Sequence, residues 1–220
     1  MLVGNASDTK VRNRRAREQA LVSAAGRLFA RRGYEATTTR EIAAAARCAE
    51  GLISRYFNGK AGLLLALIRS RVASDVTDLS DKIPIAKDFD KEITQLIAWE
   101  VDHMWEEREF LGVVVPRALV EPQLGRMVSK LGPARRGDAI AKRLERFHEC
   151  RHLPPEELKA LADSVGAIGF MFGFMRPVVL GQDRARAKKV ATTIAKLLAR
   201  GIQCFPSASR NRSHSRPKQV

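Results

Sequence analysis

The chain has 220 residues, 45% of them apolar and 6% aromatic, and carries 39 Lys and Arg against 24 Asp and Glu. That length suits one large domain or two small ones with a real core, and the abundance of Ala, Leu and Arg favours helices over sheets. The longest apolar runs, such as Leu63 to Ile68 and Val113 to Val115, are too short to span a bilayer, and no signal-peptide core is present. The expectation is therefore a cytoplasmic protein with no membrane partner.

The charge is unevenly spread. Residues 1–72 hold 14 basic and 5 acidic groups, residues 73–204 hold 21 and 19, and residues 205–220 add 4 basic groups and no acid. A basic third and a basic tail on a nearly neutral body suit a polyanion-binding head on an ordinary globular domain. Cys48, Cys150 and Cys204 are too widely spaced for a disulfide framework or a CxxC metal pattern, so reduced, buried thiols are expected.

Residues 1–12 read as a disordered arm. From Asn13 to Arg32, Leu21, Ala24, Ala25, Leu28 and Phe29 recur at helical spacing, and Gly33 sits where a left-handed residue would end the helix. In the threonine cluster that follows, Thr38 or Thr39 is a good N-cap, although no perfect capping box is expected. Glu41 to Ala46 reads as two alanine-rich turns with Ile42 and Ala46 inward. A turn at Arg47–Ala49 leads into Glu50–Phe57, where Ile53, Tyr56 and Phe57 anchor while Glu50, Gly51, Leu52, Ser54 and Arg55 face out. Asn58-Gly59 is a break, and Lys60 opens an amphipathic helix through Val72. Two short helical segments and a tight turn over 36–57, sparing in large apolar groups, read as a DNA-reading helix-turn-helix.

Beyond Pro84 the pattern stays helical: Phe89 to Arg108, then two helices broken near Pro116, Pro122 and Pro133, then an arginine-rich helix over 138–150. Glu156 to about Val179 is strongly apolar and is interrupted by Gly166, Gly169 and Gly173. Gln182-Asp183 caps a last helix through Gln203. Residues 205–220 read as a disordered basic tail.

With LVSAAGRLFARRGYEATTTREIAAAA followed by EGLISRYFNGKAGLL, the segment Asn13–Arg71 resembles the TetR family of bacterial transcriptional regulators. The resemblance implies an all-α fold of about nine helices. A three-helix DNA-binding domain at 13–73 would join a helical effector-binding and dimerisation domain at 74–204. The turn departs from the family pattern, with Arg47-Cys48-Ala49 where Gly-Val-Ser is usual, and Ser54 stands where an aromatic usually precedes Arg55.

A recognition helix must enter a major groove about 12 Å wide, so its outer face wants small or polar residues. The expected DNA-binding set is Thr38, Thr39, Arg40, Ala49, Glu50, Gly51, Leu52, Ser54, Arg55, Tyr56 and Lys60. Gly51 would admit close backbone approach or simply pack, and Arg55 would read guanine, bind phosphate or stay a surface arginine. Tyr56 would point its hydroxyl at a phosphate, as the family's aromatic does, or serve the core. Lys60, at a helix start, suits a phosphate. Glu50 would accept from cytosine or cap its helix, and capping is the expected role.

The resemblance also implies a homodimer built on the last two helices, with Gly166, Gly169, Gly173, Ile194, Leu197 and Leu198 at the interface. The three glycines, each costing roughly 1 kcal/mol of helix propensity, would be offset by close approach across the dimer or beside a ligand. An effector pocket would draw on Trp99, His103, Met127, Phe147, Phe170 and Phe174, each on its own more often a core residue than a ligand contact, and would take a hydrophobic small molecule.

The expected function is a DNA-binding regulator with a double-stranded operator as partner, most naturally a repressor released by its effector. An activator or a non-specific architectural protein are the alternatives. No cofactor is expected. The HxCxH run of His148, Cys150 and His152 is not expected to hold metal, because Pro154 ends the helix there. No triad, P-loop, dinucleotide or paired-carboxylate pattern suggests an enzyme, and Glu106-Glu107 and Glu156-Glu157 read as solvated charge.

Overall fold

A computed structural model describes residues 6–203, with the side chains of 6–10, 72–78, 80 and 81 left aside. The expected basic tail at 205–220 and Cys204 lie outside the described residues. Every regular element within them is a helix: α1 (Ala6–Arg32), α2 (Thr39–Ala45), α3 (Gly51–Phe57), α4 (Lys60–Lys82), α5 (Phe89–Glu106), α6 (Arg108–Val120), α7 (Pro122–Leu131), α8 (Pro133–Leu144), α9 (Pro155–Phe170, continued by a π-helical stretch Met171–Val179) and α10 (Arg184–Gln203). The all-α class read from the sequence holds.

The described residues form two compact units, one of residues 6–78 with 107–132, the other of 79–106 with 133–203. This division differs from a single boundary near residue 73, because α6 and α7 group with the N-terminal helices.

In the first unit, Leu21, Ala24, Ala25 and Phe29 of α1 meet Ile42, Ala43, Ile53, Leu63, Leu64, Leu67 and Ile68. Val113 and Val114 of α6 and Leu124 of α7 complete this core. α1 starts at Ala6, upstream of the expected Asn13. Pro116 lies inside α6 and does not break it. It forgoes one backbone hydrogen bond, yet the helix persists because Val113 and Val114 are anchored in the core. Pro122 and Pro133 instead open α7 and α8, where a missing N–H costs nothing.

The second unit packs α5 against α9 and α10, with α8 beside α9. Ile93, Leu96, Ile97, Ile140, Leu144, Leu161, Val165 and a run of alanines on α10 fill its core. α8 spans 133–144 rather than 138–150, since the chain after Leu144 turns irregularly through the Phe147 and Cys150 region. Residues 155–179 form one span that is long and apolar enough to cross a bilayer, contrary to the expectation from short apolar runs. Here Leu158, Leu161, Ala162, Val165, Phe172 and Phe174 of that span are core residues. Pro177 cannot donate to the helical ladder, and beyond it Leu180 donates to Met175, five residues back.

Gly169 and Gly173 do not interrupt the span; they let α5 close on it. A Cβ at Gly169 would lie 2.5 Å from Glu100 Cβ, and one at Gly173 would lie 2.3 Å from the Val101 carbonyl. Those two close approaches are therefore made within the chain. Gly166 faces open space.

Candidate nucleic-acid interface

Two seven-residue helices have little stability of their own, so their ends must be held by specific bonds. α1 stops at Gly33, whose φ of +78° is costly for any residue with a Cβ, and its N–H donates to the Phe29 carbonyl at 2.8 Å. Thr37 is buried and donates its hydroxyl back to the Gly33 carbonyl at 2.8 Å. Thr38 then caps α2 in a full capping box, which corrects the expectation of an incomplete one. The Glu41 N–H donates to Thr38 Oγ1 at 3.2 Å and the Thr38 N–H donates to Glu41 Oε2 at 2.9 Å. These bonds from Thr38, backbone first, hold the Glu41 carboxyl below its ordinary range, and Arg32 at 2.7 Å adds to the effect.

The Arg47-Cys48-Ala49 turn carries Arg47 at φ +53°, and the Cys48 N–H donates to the Ala43 carbonyl at 2.9 Å. α3 follows with Ile53 fully buried and Tyr56 and Phe57 half-buried, edge to face at 6.3 Å. Asn58 at φ +58° and Gly59 at φ +96° then turn the chain into α4. A residue that the sequence did not single out completes the junction. A Cβ on Gly62 would sit 1.5 Å from the Phe57 carbonyl, so only glycine lets α4 start this close to the end of α3.

The structure sorts the expected DNA-binding residues. Arg40, Ala49, Glu50, Gly51, Ser54 and Arg55 are exposed. Nothing lies within 4 Å of a Cβ placed on Gly51, so the glycine is not there to pack. Leu52, expected outward, is partly buried against the head core, drawn in by the same apolar surface that takes Ile53. Glu50 makes no capping bond, correcting that expectation. Its carboxylate instead accepts from the Thr39 hydroxyl at 2.6 Å, tying the start of α2 to the start of α3. Lys60 turns its ammonium inward, donating to the carbonyls of Tyr34 at 2.9 Å and Thr37 at 3.0 Å, and it lies 4.3 Å from the Tyr34 ring centre.

The other side of Tyr34's surroundings comes from α6. Arg117 places its guanidinium 4.6 Å from the same ring and pairs with Glu35 and with Glu121. Burial raises the Tyr34 hydroxyl above its usual range, with Arg117 opposing and Glu35 reinforcing that shift. Sequence periodicity could not find Lys60 and Arg117 as partners of one turn, because their links span 23 to 82 positions.

A buried three-helix scaffold thus presents a short second helix of the pair with an open glycine, a serine and an arginine outward. Residues 21–67 match the family model of bacterial regulatory proteins, tetR family. Residues 21–67 thus carry the DNA-binding segment of that family, and the chain is similar to TetR-type bacterial transcriptional regulators. Solved structures share the fold over most of the chain. A TetR-family regulator from Syntrophomonas wolfei superposes with a TM-score of 0.66 at 16% identity, covering 86% of this chain and 98% of its own. One from Mesorhizobium loti gives 0.64 at 18%, covering 86% and 97%. FadR from Bacillus subtilis, solved with stearoyl-CoA, gives 0.62 at 15%, covering 83% and 98%. No curated protein matches the chain.

Of the residues that TetR-family resemblance nominated for an effector pocket, five lie in the C-terminal unit and Met127 lies in the N-terminal one. Trp99 and His103 stack at 4.7 Å, Phe170 and Phe174 lie tilted at 5.5 Å, and Phe147 packs on Phe89 at 6.0 Å. His103 also meets Arg136 at 3.1 Å, and Arg136 pairs with the buried Glu100 at 3.0 Å. A cavity of about 470 Å³ in the same unit is lined by Lys87, Asp88, Phe89, Arg146, Phe147 and their neighbours, and takes only Phe147 from the nominated six.

On the surface nominated for dimerisation, Leu197 is 60% exposed and Ile194 and Leu198 are half-buried. The rings of His148 and His152 lie 5.4 Å apart on the irregular segment after α8, so helical i, i+4 geometry does not apply to them.

Proposed function

We propose that the chain is a cytoplasmic homodimeric repressor that binds a near-palindromic operator and leaves it when a hydrophobic small molecule binds. The observation that carries this reading is the outer face of α3, where Gly51, Ser54 and Arg55 are exposed on a helix whose inner face is fixed by Ile53. With no Cβ at Gly51 the helix can approach base edges closely, and Arg55 has the reach and donors to read guanine. Leu52 and Ala49 would border the bases. Thr38, Thr39, Arg40, Tyr56 and Lys60 would set register on phosphates, Lys60 chiefly by holding the turn before α2.

In this reading residues 13–73 form the reading head and 74–204 the effector-binding and dimerisation body. The last two helices supply the dimer contact. Leu197 and Met171 are exposed apolar groups, and Gly166 faces open space, as a surface awaiting a second copy would require. Trp99, His103, Phe147, Phe170 and Phe174, all of the C-terminal unit, are the proposed effector contacts, a largely aromatic set, and Met127 of the other unit is left out. The acyl-CoA bound to the Bacillus subtilis relative makes long-chain acyl compounds the first effectors to try.

Gel-shift titrations with short duplexes carrying a palindrome and its isolated half-site test the reading. A dimer gives one cooperative shift on the palindrome, weak binding to the half-site, and release on adding an acyl-CoA or another hydrophobic ligand. Equal shifts on palindrome and half-site would speak against the dimer. Binding that no hydrophobic ligand weakens would speak against release.

A further inference from the structure

The apolar stripe that seats α1 in the head begins at Leu21. Stepping back along the same face by four and by seven residues reaches Arg17 and Arg14, not further apolar groups. Residues 11–17, VRNRRAR, hold four arginines and no acid, and all seven are exposed. At 1.5 Å per residue this helical overhang runs roughly 10 Å past the core. A solvated helix usually interleaves opposite charges at i, i+4; here one such pair exists, Arg14 with Glu18 at 2.8 Å. Arg12, Arg15 and Arg17 have no ion-pair partner among the described residues.

The overhang is also tied to the reading helix. The guanidinium of Arg14 lies 5.1 Å from the centre of the Tyr56 ring. Arg14 therefore ties the basic first turns of α1 to α3, whose exposed residues face the proposed DNA.

We propose that the first turns of α1 form a second DNA contact, in which Arg12, Arg15 and Arg17 bind phosphates of the duplex beside the site read by α3, while Arg14 positions Tyr56. The proposal rests on the DNA-binding reading of the head and adds affinity to it without adding sequence preference, because phosphate contacts carry no base information. The ligand class is the double-stranded DNA backbone.

The test measures binding of the full chain to a selected duplex with flanks, across a salt series, for wild type, for R12Q/R15Q/R17Q and for each single variant. Removing one arginine from its phosphate should lower the slope of log affinity against log salt by about 0.9, so the triple variant should fall by about 2 to 3. Its affinity near physiological salt should drop roughly 10- to 100-fold with the order of preferred bases unchanged. The retained preference also shows that the head is folded, and the single variants, each lowering the slope by about 0.9, cover the case of a misfolded triple.

A slope equal to wild type would overturn the proposal. So would the same loss in the charge-matched control K142Q/R146Q/R151Q, three exposed groups of the C-terminal unit, or a loss of base preference in the triple variant. If wild type prefers no operator, the repressor reading fails, and the same slopes measured on a random duplex still decide this one.

Discussion

The two units handle charge in opposite ways. In the N-terminal unit the polar side chains shape short turns, and the arginines at 12, 15 and 17 of α1 stand in water. Thr38 and Glu41 close a cap, Thr39 reaches Glu50, and Lys60 gathers the carbonyls of the turn. In the C-terminal unit charges are buried in pairs. Glu92 and Glu100 are fully inaccessible, and they face Arg143 and Arg136, which are less than 10% exposed. Arg143 also donates to the carbonyls of Ile83 at 2.7 Å and Pro84 at 3.0 Å, and the Ala86 N–H donates to Glu92 at 2.8 Å. The difference teaches where each unit's specificity lies. The first leaves Arg12, Arg15, Arg17 and Arg55 exposed to a polyanion, and the second uses its own arginines to fix how the Ile83–Pro84 segment, α5 and α8 meet.

Removing one partner of a buried pair should therefore give the largest effect. Arg143→Met leaves the Glu92 carboxylate buried without its cation and should cost about 3–5 kcal/mol in urea unfolding. An effect below about 1 kcal/mol would mean that the pair is solvated and that the contrast between the units does not hold. In the other unit, Gly62→Ala drives a Cβ into the Phe57 carbonyl and should cost about 1–3 kcal/mol or more, with DNA binding lost in proportion. Gly112→Ala, inside α6 and facing open space, should by contrast raise helix stability by up to about 1 kcal/mol. If the two substitutions behave alike, glycine is not marking close approach.

Arg55→Ala sharpens the comparison from the functional side. It should leave unfolding unchanged yet cost about 1–3 kcal/mol of discrimination at one base position. An arginine of the reading face that only binds phosphate would instead weaken all duplexes alike.

How much of this is legible in the sequence follows from the range of each interaction. The α1 stripe, the Gly33 stop, the Asn58-Gly59 break and the last helix are governed by neighbours within a turn or two, and periodicity finds them. The capping box is equally local and Thr38-x-x-Glu41 has its spacing, although no perfect box is expected there from the sequence. Three features depend on partners far along the chain. Lys60 turns to carbonyls 23 to 26 positions earlier, Arg117 reaches Glu35 across 82, and Gly173 yields to the Val101 carbonyl. No spacing rule encodes such contacts. Pro116 misleads because propensity says stop while Val113 and Val114, held in the core, keep the helix going.

Smaller effects probe the caps and thiols. Thr38→Ala should cost about 1 kcal/mol of head stability. It should also flatten the acid limb of the unfolding profile. The Glu41 carboxyl is held below its ordinary range in the fold, so its contribution is present above the unfolded pKa and is lost as pH falls through the folded one. An unchanged acid limb would show that the box does not form. In a Cys204→Ser background, Cys48 should react with a thiol reagent well before Cys150, whose thiol burial pushes up to about 11. Equal rates would show that Cys150 is not enclosed.

In the proposed function the exposed face of α3 reads a DNA sequence. Selection of bound duplexes from a random pool by the full chain tests it most directly. The pool should become enriched in one near-palindromic site, with Arg55→Ala erasing the preference at a symmetric pair of positions. A pool that stays random while binding remains strong at low salt would contradict it, leaving a protein that holds DNA by charge alone.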